Sequence, residues 1–344
     1  WIMAERRILT SLRHAPFVVS LHMSFQTPIE LCMVMPLLLG GDLRKHMGTA
    51  KNPKLFNIKT VRFFTSHILL ALEYLHERNL LHRDVKPENI LLDEKGYCYL
   101  TDFNCCKILR NSRDKAMSRT GTLPYMAPEM LRKRPYSFGV DVWSLGVVFY
   151  QLLFNRLPFQ HKYDVKLIEL IVSGKYELPS HLSHHLTDVI NKFLEPDPKK
   201  RRSVKQMMKH QFFNEINWER MVNKEEESPY IPREPKSTDD EYMIDIAYEE
   251  QRKKDLKNGI KDELQTMFST WDWPRECIRS KENGVFSAIE EDLLILDDPS
   301  RLAEVGVPIL KEKGELLSPP SPKQENKRER KKGGEEGRGE GGST

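Results

Sequence analysis

The residues best suited to chemistry lie in LLHRDVKPENILLD, at positions 80–93. This stretch places a carboxylate at Asp84, a cation at Lys86 and an amide at Asn89. A carboxylate can accept the proton of a hydroxyl nucleophile, a lysine can balance charge on a migrating phosphoryl group, and an amide oxygen can ligate a metal ion. The grouping predicts a phosphoryl-transfer site, and the alternative is a charged turn that arose by chance.

Three further motifs follow this stretch along the chain. The first is LTDFNCCKIL at 100–109, in which Asp102 comes where a short strand is expected to end in a turn. The others are GTLPYMAPE at 121–129 and DVWSLG at 141–146. One such motif would be weak evidence, but four in order with plausible gaps form a specific signal. They make Asp102 a second candidate metal ligand.

The elements that must position these motifs are predicted by the apolar pattern. Residues 1–13 have the spacing of an amphipathic helix, and TVRFFTSHILLALEYLHERN at 60–79 predicts a long one. FVVSLHMSF and ELCMVMPLL predict strands with a turn at 27–28, and NILLD and YCYLTDF predict strands with a turn at 94–96. The pattern over 140–210 is mostly helical. The fold class is therefore α+β, with a small α/β part before a larger helical part.

Composition limits the class of protein. The chain has 344 residues, of which 39% are hydrophobic and 30% charged, as in a folded protein with polar extensions. The net charge of +4 is too small to argue for nucleic-acid binding, and no apolar run is long enough to cross a membrane. The five cysteines are scattered without a metal-binding spacing. They are expected to be reduced thiols of a soluble, cytoplasmic protein.

The texture of the chain changes toward its C-terminal third. Residues 222–263 are highly charged with few apolar anchors, and MFSTWDW at 267–273 is an isolated aromatic cluster. From about Ser318 the composition cannot bury enough apolar surface to fold, which predicts disorder. The predicted parts are a folded domain over 1–213, an extension over 214–280 and a largely disordered polar tail over 281–344.

With these motifs in place, residues 1–213 resemble a eukaryotic protein kinase domain of the serine/threonine type. Lys86 after the catalytic Asp, with Thr122 in GT, is the pairing that serine/threonine kinases have. LLLGGDLRKHM, TDFN, PYMAPEM, FLEPDPKKR and EINWERM further resemble the YANK family of the AGC group. The resemblance implies a two-lobed fold, with a partial small lobe at about 1–38 and a helical large lobe at about 39–213. It also implies Mg²⁺-dependent transfer of the ATP γ-phosphoryl to Ser or Thr of protein substrates.

The resemblance implies a role for each site residue. Asp84 would orient the substrate hydroxyl, Lys86 would offset phosphoryl charge, and Asn89 and Asp102 would hold Mg²⁺. The implied nucleotide-binding positions are Glu5 of helix αC, the gatekeeper Met35 packed in the core, Pro36 and Leu38 of the hinge, Asp42 near the ribose, and Leu91. The implied structural positions are the spine of His82 and Phe103 with Leu9 and Leu21, the pair Glu129 and Arg201, and Asp141, which would brace the catalytic loop.

Several of these positions have alternatives. Glu5 could be a solvated helix charge, and Asp42 could simply cap a helix. Kinases usually have glycine after Asp-Phe, whereas Asn104 stands here, as in the YANK family. Asparagine tolerates a positive φ best after glycine, so we expect Asn104 to hold that turn in the left-handed conformation. Cys105 and Cys106 are expected to be inert packing thiols.

Regulation is implied at two places. Ser118, with Thr120 as the competing candidate, would be an activation-segment phosphosite whose phosphate pairs with Arg83, and an unmodified loop is the alternative. SPYIP at 228–232 resembles the Pro-aromatic-x-Pro element of an AGC tail. FSTWDW loosely resembles the tail's hydrophobic motif, and a disordered segment is the alternative. Its motif positions would be Phe268, Trp271 and Asp272.

No glycine-rich loop and no strand lysine precede Glu5. We therefore expect a sequence truncated at its N-terminus, whose product would be weakly active or inactive and whose missing part could carry a lipid anchor. The alternatives are a pseudokinase-like scaffold, opposed by the intact catalytic residues, and a small-molecule phosphotransferase, opposed by APE and DVWSLG. The expected partners are protein substrates and an upstream activating kinase, without nucleic acid, for a monomeric protein.

Overall fold

The computed structural model describes residues 2–26, 31–48 and 56–232. The turn predicted at 27–28 lies outside these residues. So do the charged extension beyond 232, the aromatic cluster with Phe268, Trp271 and Asp272, and the polar tail predicted over 281–344.

The N-terminal part consists of one helix and one hairpin. Helix α1 (Ile2–Ser11) precedes β1 (Met23–Gln26), which pairs antiparallel with β2 (Leu31–Val34). Both strands are shorter than the predicted apolar runs. Strand β1 is shorter because the backbone before it is hydrogen-bonded to another segment: the Val19 N–H donates to the Leu100 carbonyl at 3.0 Å.

Short strands from separate parts of the chain frame the site. A three-stranded sheet has the order β3-β5-β6, and β4 pairs with β7. These strands are β3 (Gly41–Asp42), β4 (Leu80–Leu81), β5 (Ile90–Leu92), β6 (Cys98–Leu100) and β7 (Lys107–Ile108). Because β4 pairs with β7 while β5 pairs with β6, the connections at 82–89 and 101–106 must lie side by side. We call them the catalytic loop and the Asp-Phe-Asn loop.

The rest of the described chain is mainly helical, as predicted. The helices are α2 (Leu43–His46), α3 (Ile58–Glu77), α4 (Pro128–Leu131), α5 (Gly139–Phe154), α6 (Asp164–Ser173), α7 (His184–Phe193), α8 (Val204–Met208) and α9 (Trp218–Val222). The Asn57 side chain caps α3 by accepting from the Thr60 N–H at 2.8 Å. Helix α5 is almost wholly buried, and its Trp143 and Tyr150 are among the largest fully buried side chains of the described residues. Among the described helices, none is both long and apolar enough to span a membrane.

Candidate active site

Asp84 lies at the centre of a dense hydrogen-bond network. Its Oδ2 accepts from Lys86 Nζ at 2.6 Å and from Asn89 Nδ2 at 3.1 Å. Its Oδ1 accepts from the backbone N–H of Thr122 at 2.8 Å and from the Thr122 hydroxyl at 2.7 Å. Lys86 Nζ also donates to Thr122 Oγ1 at 3.0 Å. The fold thus joins the catalytic loop to the GT motif, 38 residues further along the chain.

The network keeps Asp84 ionised. Burial alone would raise the pKa of Asp84, but hydrogen bonds from Lys86 and Thr122 outweigh burial and lower it. Asn89 Nδ2 also donates to the Asp84 carbonyl at 2.9 Å. The amide nitrogen is therefore occupied, and none of the described residues donates to Asn89 Oδ1, which leaves that oxygen free for a metal ion.

Asp102 stands beside Asn89 because the two loops are bonded together. The Thr101 N–H donates to the Asn89 carbonyl at 3.0 Å. The described residues contain no cluster of three His, Cys, Asp or Glu that could hold a metal by itself. An amide oxygen and one carboxylate nevertheless suit Mg²⁺, which takes its other ligands from water and phosphate oxygens.

The prediction that Asn104 adopts the left-handed conformation is wrong. It occurs at Asp102, with φ 64°, and Asn104 has no positive φ. The Asp102 carboxylate accepts from the Asn104 N–H at 3.3 Å. This local hydrogen bond lets an aspartate adopt the left-handed region, so Asn104 forms part of the following turn instead.

Asp141 at the start of α5 holds the catalytic loop. It is fully buried and accepts from the backbone N–H groups of His82 at 3.0 Å and Arg83 at 2.8 Å, and from His76 Nε2 at 2.8 Å. Burial alone would raise the pKa of Asp141, but the hydrogen bond and charge of His76 lead the interactions that lower it. The bond to Arg83 fixes a residue with φ 69°, so Asp141 stabilises the strained part of the loop.

Buried side chains connect the two loops to the N-terminal part. The Phe103 ring meets the His82 ring edge-on, with centroids 5.2 Å apart. His82 Nε2 lies 3.1 Å from the Thr101 carbonyl, and burial lowers the pKa of His82. His82 is therefore a neutral packing group. The buried set consists of Leu9, Leu21, His82 and Phe103.

Glu129 and Arg201 form a buried two-pronged ion pair. Arg201 Nη1 and Nη2 donate to the Glu129 carboxylate at 2.7 and 3.0 Å. The same guanidinium donates to the carbonyls of Gly139 and Glu195, at 3.0 and 2.8 Å. It also lies 5.1 Å from the centre of the Trp143 ring. This geometry ties α4 to α5 and to the segment before α8.

The positions implied for nucleotide binding lie around β3. The Gly41 N–H donates to the Leu38 carbonyl at 3.2 Å, whereas the Leu38 N–H and the Pro36 carbonyl have no partner among the described residues. Asp42 pairs with Leu91 across the sheet, and its carboxylate caps α2 by accepting from the Lys45 N–H at 3.0 Å. Asp42 is therefore a helix cap, with its second oxygen near Lys45 Nζ at 3.4 Å.

Met35 differs from expectation, and Glu5 lies half-buried near Asp102 and Phe103. The Met35 side chain is 39% exposed because none of the described residues covers that side of the hairpin. The prediction that Met35 packs in the core is therefore wrong for the described part of the chain. Glu5 is half-buried, and burial, followed by the charge of Asp102, raises its pKa, while a hydrogen bond from the Phe103 backbone opposes the rise. No lysine or arginine of the described ranges forms an ion pair with Glu5.

The activation segment contacts Arg83 at Ser118. Arg83 Nη1 donates to Ser118 Oγ at 2.7 Å and to the Tyr136 hydroxyl at 3.2 Å, and the Tyr136 hydroxyl donates to the Ser118 carbonyl at 2.7 Å. Ser118 itself is exposed. The Thr120 side chain makes no hydrogen bond with any described residue, which separates the two candidate positions.

Some site residues carry no local sequence signal. His76 lies 65 residues from Asp141, and Tyr136 lies 18 residues from Ser118. Arg83 also donates to the carbonyls of Cys105 and Cys106, at 2.6 and 3.3 Å. Burial raises the pKa of both of these thiols, which fits unreactive packing groups.

Comparison with known proteins places this geometry in a family. Residues 1–213 match the protein kinase domain family. The chain is 39% identical over 248 residues to a probable serine/threonine-protein kinase of Dictyostelium discoideum, covering 71% of this chain and 53% of that protein. It is 38% identical over 248 residues to the human RAC-beta serine/threonine-protein kinase, covering 70% and 50%. For human ribosomal protein S6 kinase alpha-6 the identity is 35% over 254 residues, covering 73% and 33%.

The chain spans about half the length of the first two of these relatives. The matched range contains both loops, the Asp84 network and the Glu129–Arg201 ion pair. The mixed α/β architecture and the family match over more than half of the chain agree. The chain therefore belongs to the protein kinase family, with its kinase domain at residues 1–213.

Proposed function

We propose that this protein transfers the γ-phosphoryl group of ATP to serine or threonine hydroxyls of protein substrates. The observation that carries the proposal is the network in which Lys86, Asn89 and Thr122 surround an ionised Asp84. The names of the relatives, all serine/threonine kinases or an S6 kinase, support the acceptor class.

Asp84 would position the attacking hydroxyl. An ionised carboxylate accepts a hydrogen bond from the hydroxyl and takes its proton as the new phosphorus–oxygen bond forms. Thr122, which donates two hydrogen bonds to Oδ1, would fix the direction of the carboxylate. Lys86 Nζ, at 2.6 Å from Oδ2, would offset negative charge where it develops.

The residues for nucleotide and metal fit their proposed ligands. Bound ATP with Mg²⁺ would supply the phosphoryl group and neutralise its charge. Asn89 Oδ1 and the Asp102 carboxylate would hold the metal. The Pro36 carbonyl and the Leu38 N–H, which have no hydrogen-bond partner in the described ranges, would offer one acceptor and one donor to the adenine edge.

The remaining proposals concern the kinase group to which the protein belongs and the site at which it is regulated. Within the kinases we propose the AGC group, in keeping with the relatives, and its YANK branch, on Asn104 after Asp-Phe. Ser118 is the proposed regulatory phosphosite, because Arg83 already contacts its hydroxyl. Phosphorylation of wild-type protein but not of Ser118→Ala by an activating kinase, with Thr120→Ala as the control, tests that assignment.

The polypeptide 1–344 is expected to be a slow kinase by itself, because no described cation pairs with Glu5 beside Asp102. The test measures ³²P transfer from ATP to peptides that differ only in a Ser, Thr or Tyr acceptor. It compares this polypeptide with one preceded by a kinase segment containing a glycine-rich loop and a strand lysine. We expect the longer protein to label the Ser and Thr peptides. Nucleotide binding with no peptide labelled would favour the scaffold function instead.

A further inference from the structure

A cavity of about 630 Å³ lies in the large lobe, and its lining contains none of the residues that surround Asp84. Three segments form it: the end of α4 with the turn that follows, the end of α6, and the loop at 196–199. We call it the α4–α6 cavity. Its volume is within the range of pockets that bind small ligands or a few side chains of a peptide.

The walls of the α4–α6 cavity are fixed. Arg132 Nη2 donates to the Val172 carbonyl at 2.7 Å and so joins α4 to α6. The backbone of Gly174, just after α6, approaches the third segment so closely that a Cβ there would lie 2.0 Å from Pro196 Cγ. Glu129, which lines the cavity, is held by its buried ion pair. The cavity is therefore preformed, and binding would require little reordering.

The cavity has an excess of positive charge. Arg132, Arg134 and Lys199 line it, and no acidic residue in the described part of the chain forms an ion pair with any of them. Both lining acids are engaged: Glu129 with its arginine partner, and Asp197, whose Oδ1 accepts from the Lys199 N–H at 3.0 Å. Two further exposed lysines adjoin these cations in sequence, Lys133 and Lys200.

The other walls are apolar. Pro135, Val172, Pro196 and Pro198 line the cavity together with the cations. Such walls favour aliphatic side chains over the phosphate backbone of a nucleic acid, which gains mainly from rows of cations. A concave site also suits a linear segment better than a flat anionic membrane. Charge and shape together match a peptide with carboxylates on either side of an apolar residue.

We propose that the α4–α6 cavity docks an acidic linear segment of a partner protein. Carboxylates of the segment pair with Arg134 and Lys199, and an apolar side chain packs between Val172 and Pro196. Helix α4 begins six residues after Thr122, so a docked partner is held close to Asp84, which raises its effective concentration there. This consequence rests on the proposed kinase function, whereas docking itself does not.

The test measures peptide binding without phosphorylation. The probe is the fluorescein-labelled peptide Asp-Asp-Glu-Leu-Pro-Glu-Asp-Asp, followed by fluorescence anisotropy with the polypeptide 1–344. Its matched control has Asn and Gln in place of every acid. We expect the acidic peptide to bind about tenfold more tightly than the control at low salt, and the difference to shrink as salt screens the charges.

Variants assign the binding to the cavity. The double variant Arg134→Glu/Lys199→Glu should weaken acidic-peptide binding about tenfold, and Arg134→Gln/Lys199→Gln should have a smaller effect in the same direction. Lys95→Glu, in the turn between β5 and β6, is the control for charge reversal outside the cavity and should bind normally. All three positions are exposed, so thermal melts should show folded proteins.

Equal binding of the two peptides by wild-type protein would overturn the proposal. So would acidic-peptide binding that the Glu and Gln variants leave unchanged. Binding of anionic vesicles or RNA that requires Arg134 and Lys199, without peptide binding, would assign the cavity to another ligand class. Because none of these readouts involves phosphotransfer, they do not depend on the test of the kinase function.

Discussion

Replacing Asp141 by Asn tests how the catalytic loop is held. The wild-type carboxylate accepts three hydrogen bonds: Oδ2 from His76 Nε2 and the His82 N–H, and Oδ1 from the Arg83 N–H. An Asn side chain has one acceptor oxygen and no charge. Even if His76 changes tautomer to accept from the new amide, one buried backbone N–H faces a second donor and loses its partner.

The expected cost follows from these contacts. A hydrogen bond to a charged group contributes about 1.5–3 kcal/mol, and leaving a buried donor unpaired costs a further 1–3 kcal/mol or so. We therefore expect Asp141→Asn to lower the free energy of unfolding by about 3–5 kcal/mol. For a domain of this size that corresponds to a fall in Tm of about 6–20 °C.

The assay is thermal and urea unfolding followed by circular dichroism. The matched control is Asp188→Asn, which removes a carboxylate that also accepts from a histidine, His210 Nε2 at 2.9 Å, but is 31% exposed. That control should cost about 1 kcal/mol or less. Because the pKa of Asp141 is lowered in the folded protein, its contribution is present above about pH 4 and is lost as pH falls through the folded pKa. A Tm for Asp141→Asn within about 2 °C of the control at pH 7 would refute the bracing role.

Three further predictions concern buried groups. His67 is fully buried, and burial lowers its pKa to about 3, so the unfolded state binds the proton more readily than the folded state. The free energy of unfolding should therefore fall by about 3 kcal/mol from pH 6.5 to pH 4. His67→Phe should remove that part of the acid sensitivity. Glu129→Leu should cost about 3–5 kcal/mol because it leaves the Arg201 charge buried and unpaired, and adding Arg201→Leu should recover part of the loss. Gly96 has φ 84°, and a Cβ there would lie 2.0 Å from the Tyr230 carbonyl, so Gly96→Ala should release the segment around Tyr230 and raise its hydrogen exchange.

Controls for these predictions use exposed positions. His185→Phe is the matched substitution at an exposed position for His67→Phe, and Lys95→Ala should leave hydrogen exchange at Tyr230 unchanged. Persistent acid sensitivity in His67→Phe, additive costs in the double variant at Glu129 and Arg201, or a protected Tyr230 segment in Gly96→Ala would each contradict its prediction.

Local motifs predicted the parts of the site that the chain places close together. Asp84, Lys86 and Asn89 fall within six consecutive residues and match the kinase catalytic-loop motif, so one common site could be predicted for them from the sequence. The kinase fold and the long helix at Ile58–Glu77 were likewise confirmed, since the apolar pattern of that helix is regular over twenty residues.

Other parts of the site could not be predicted because they depend on contacts that the local sequence does not show. Nothing local marks His76 as a partner of Asp141 or Tyr136 as a partner of Ser118, because these pairs meet only through packing of separate elements. The left-handed turn was placed at Asn104 from residue preference, but a hydrogen bond from Asn104 to Asp102 moved it to the aspartate. This local hydrogen bond, between residues two apart, overrode residue preference at that position.

The most direct test of the account is kcat/KM for phosphotransfer to a Ser peptide, with and without Asp84→Asn, in the polypeptide preceded by a kinase segment that contains a glycine-rich loop and a strand lysine. The same measurement on Asp188→Asn is the control. We predict that Asp84→Asn lowers kcat/KM about 10²–10⁴-fold while nucleotide affinity stays within about threefold, because Asp84 acts on the hydroxyl. An Asp84→Asn protein that retains wild-type kcat/KM would contradict the account.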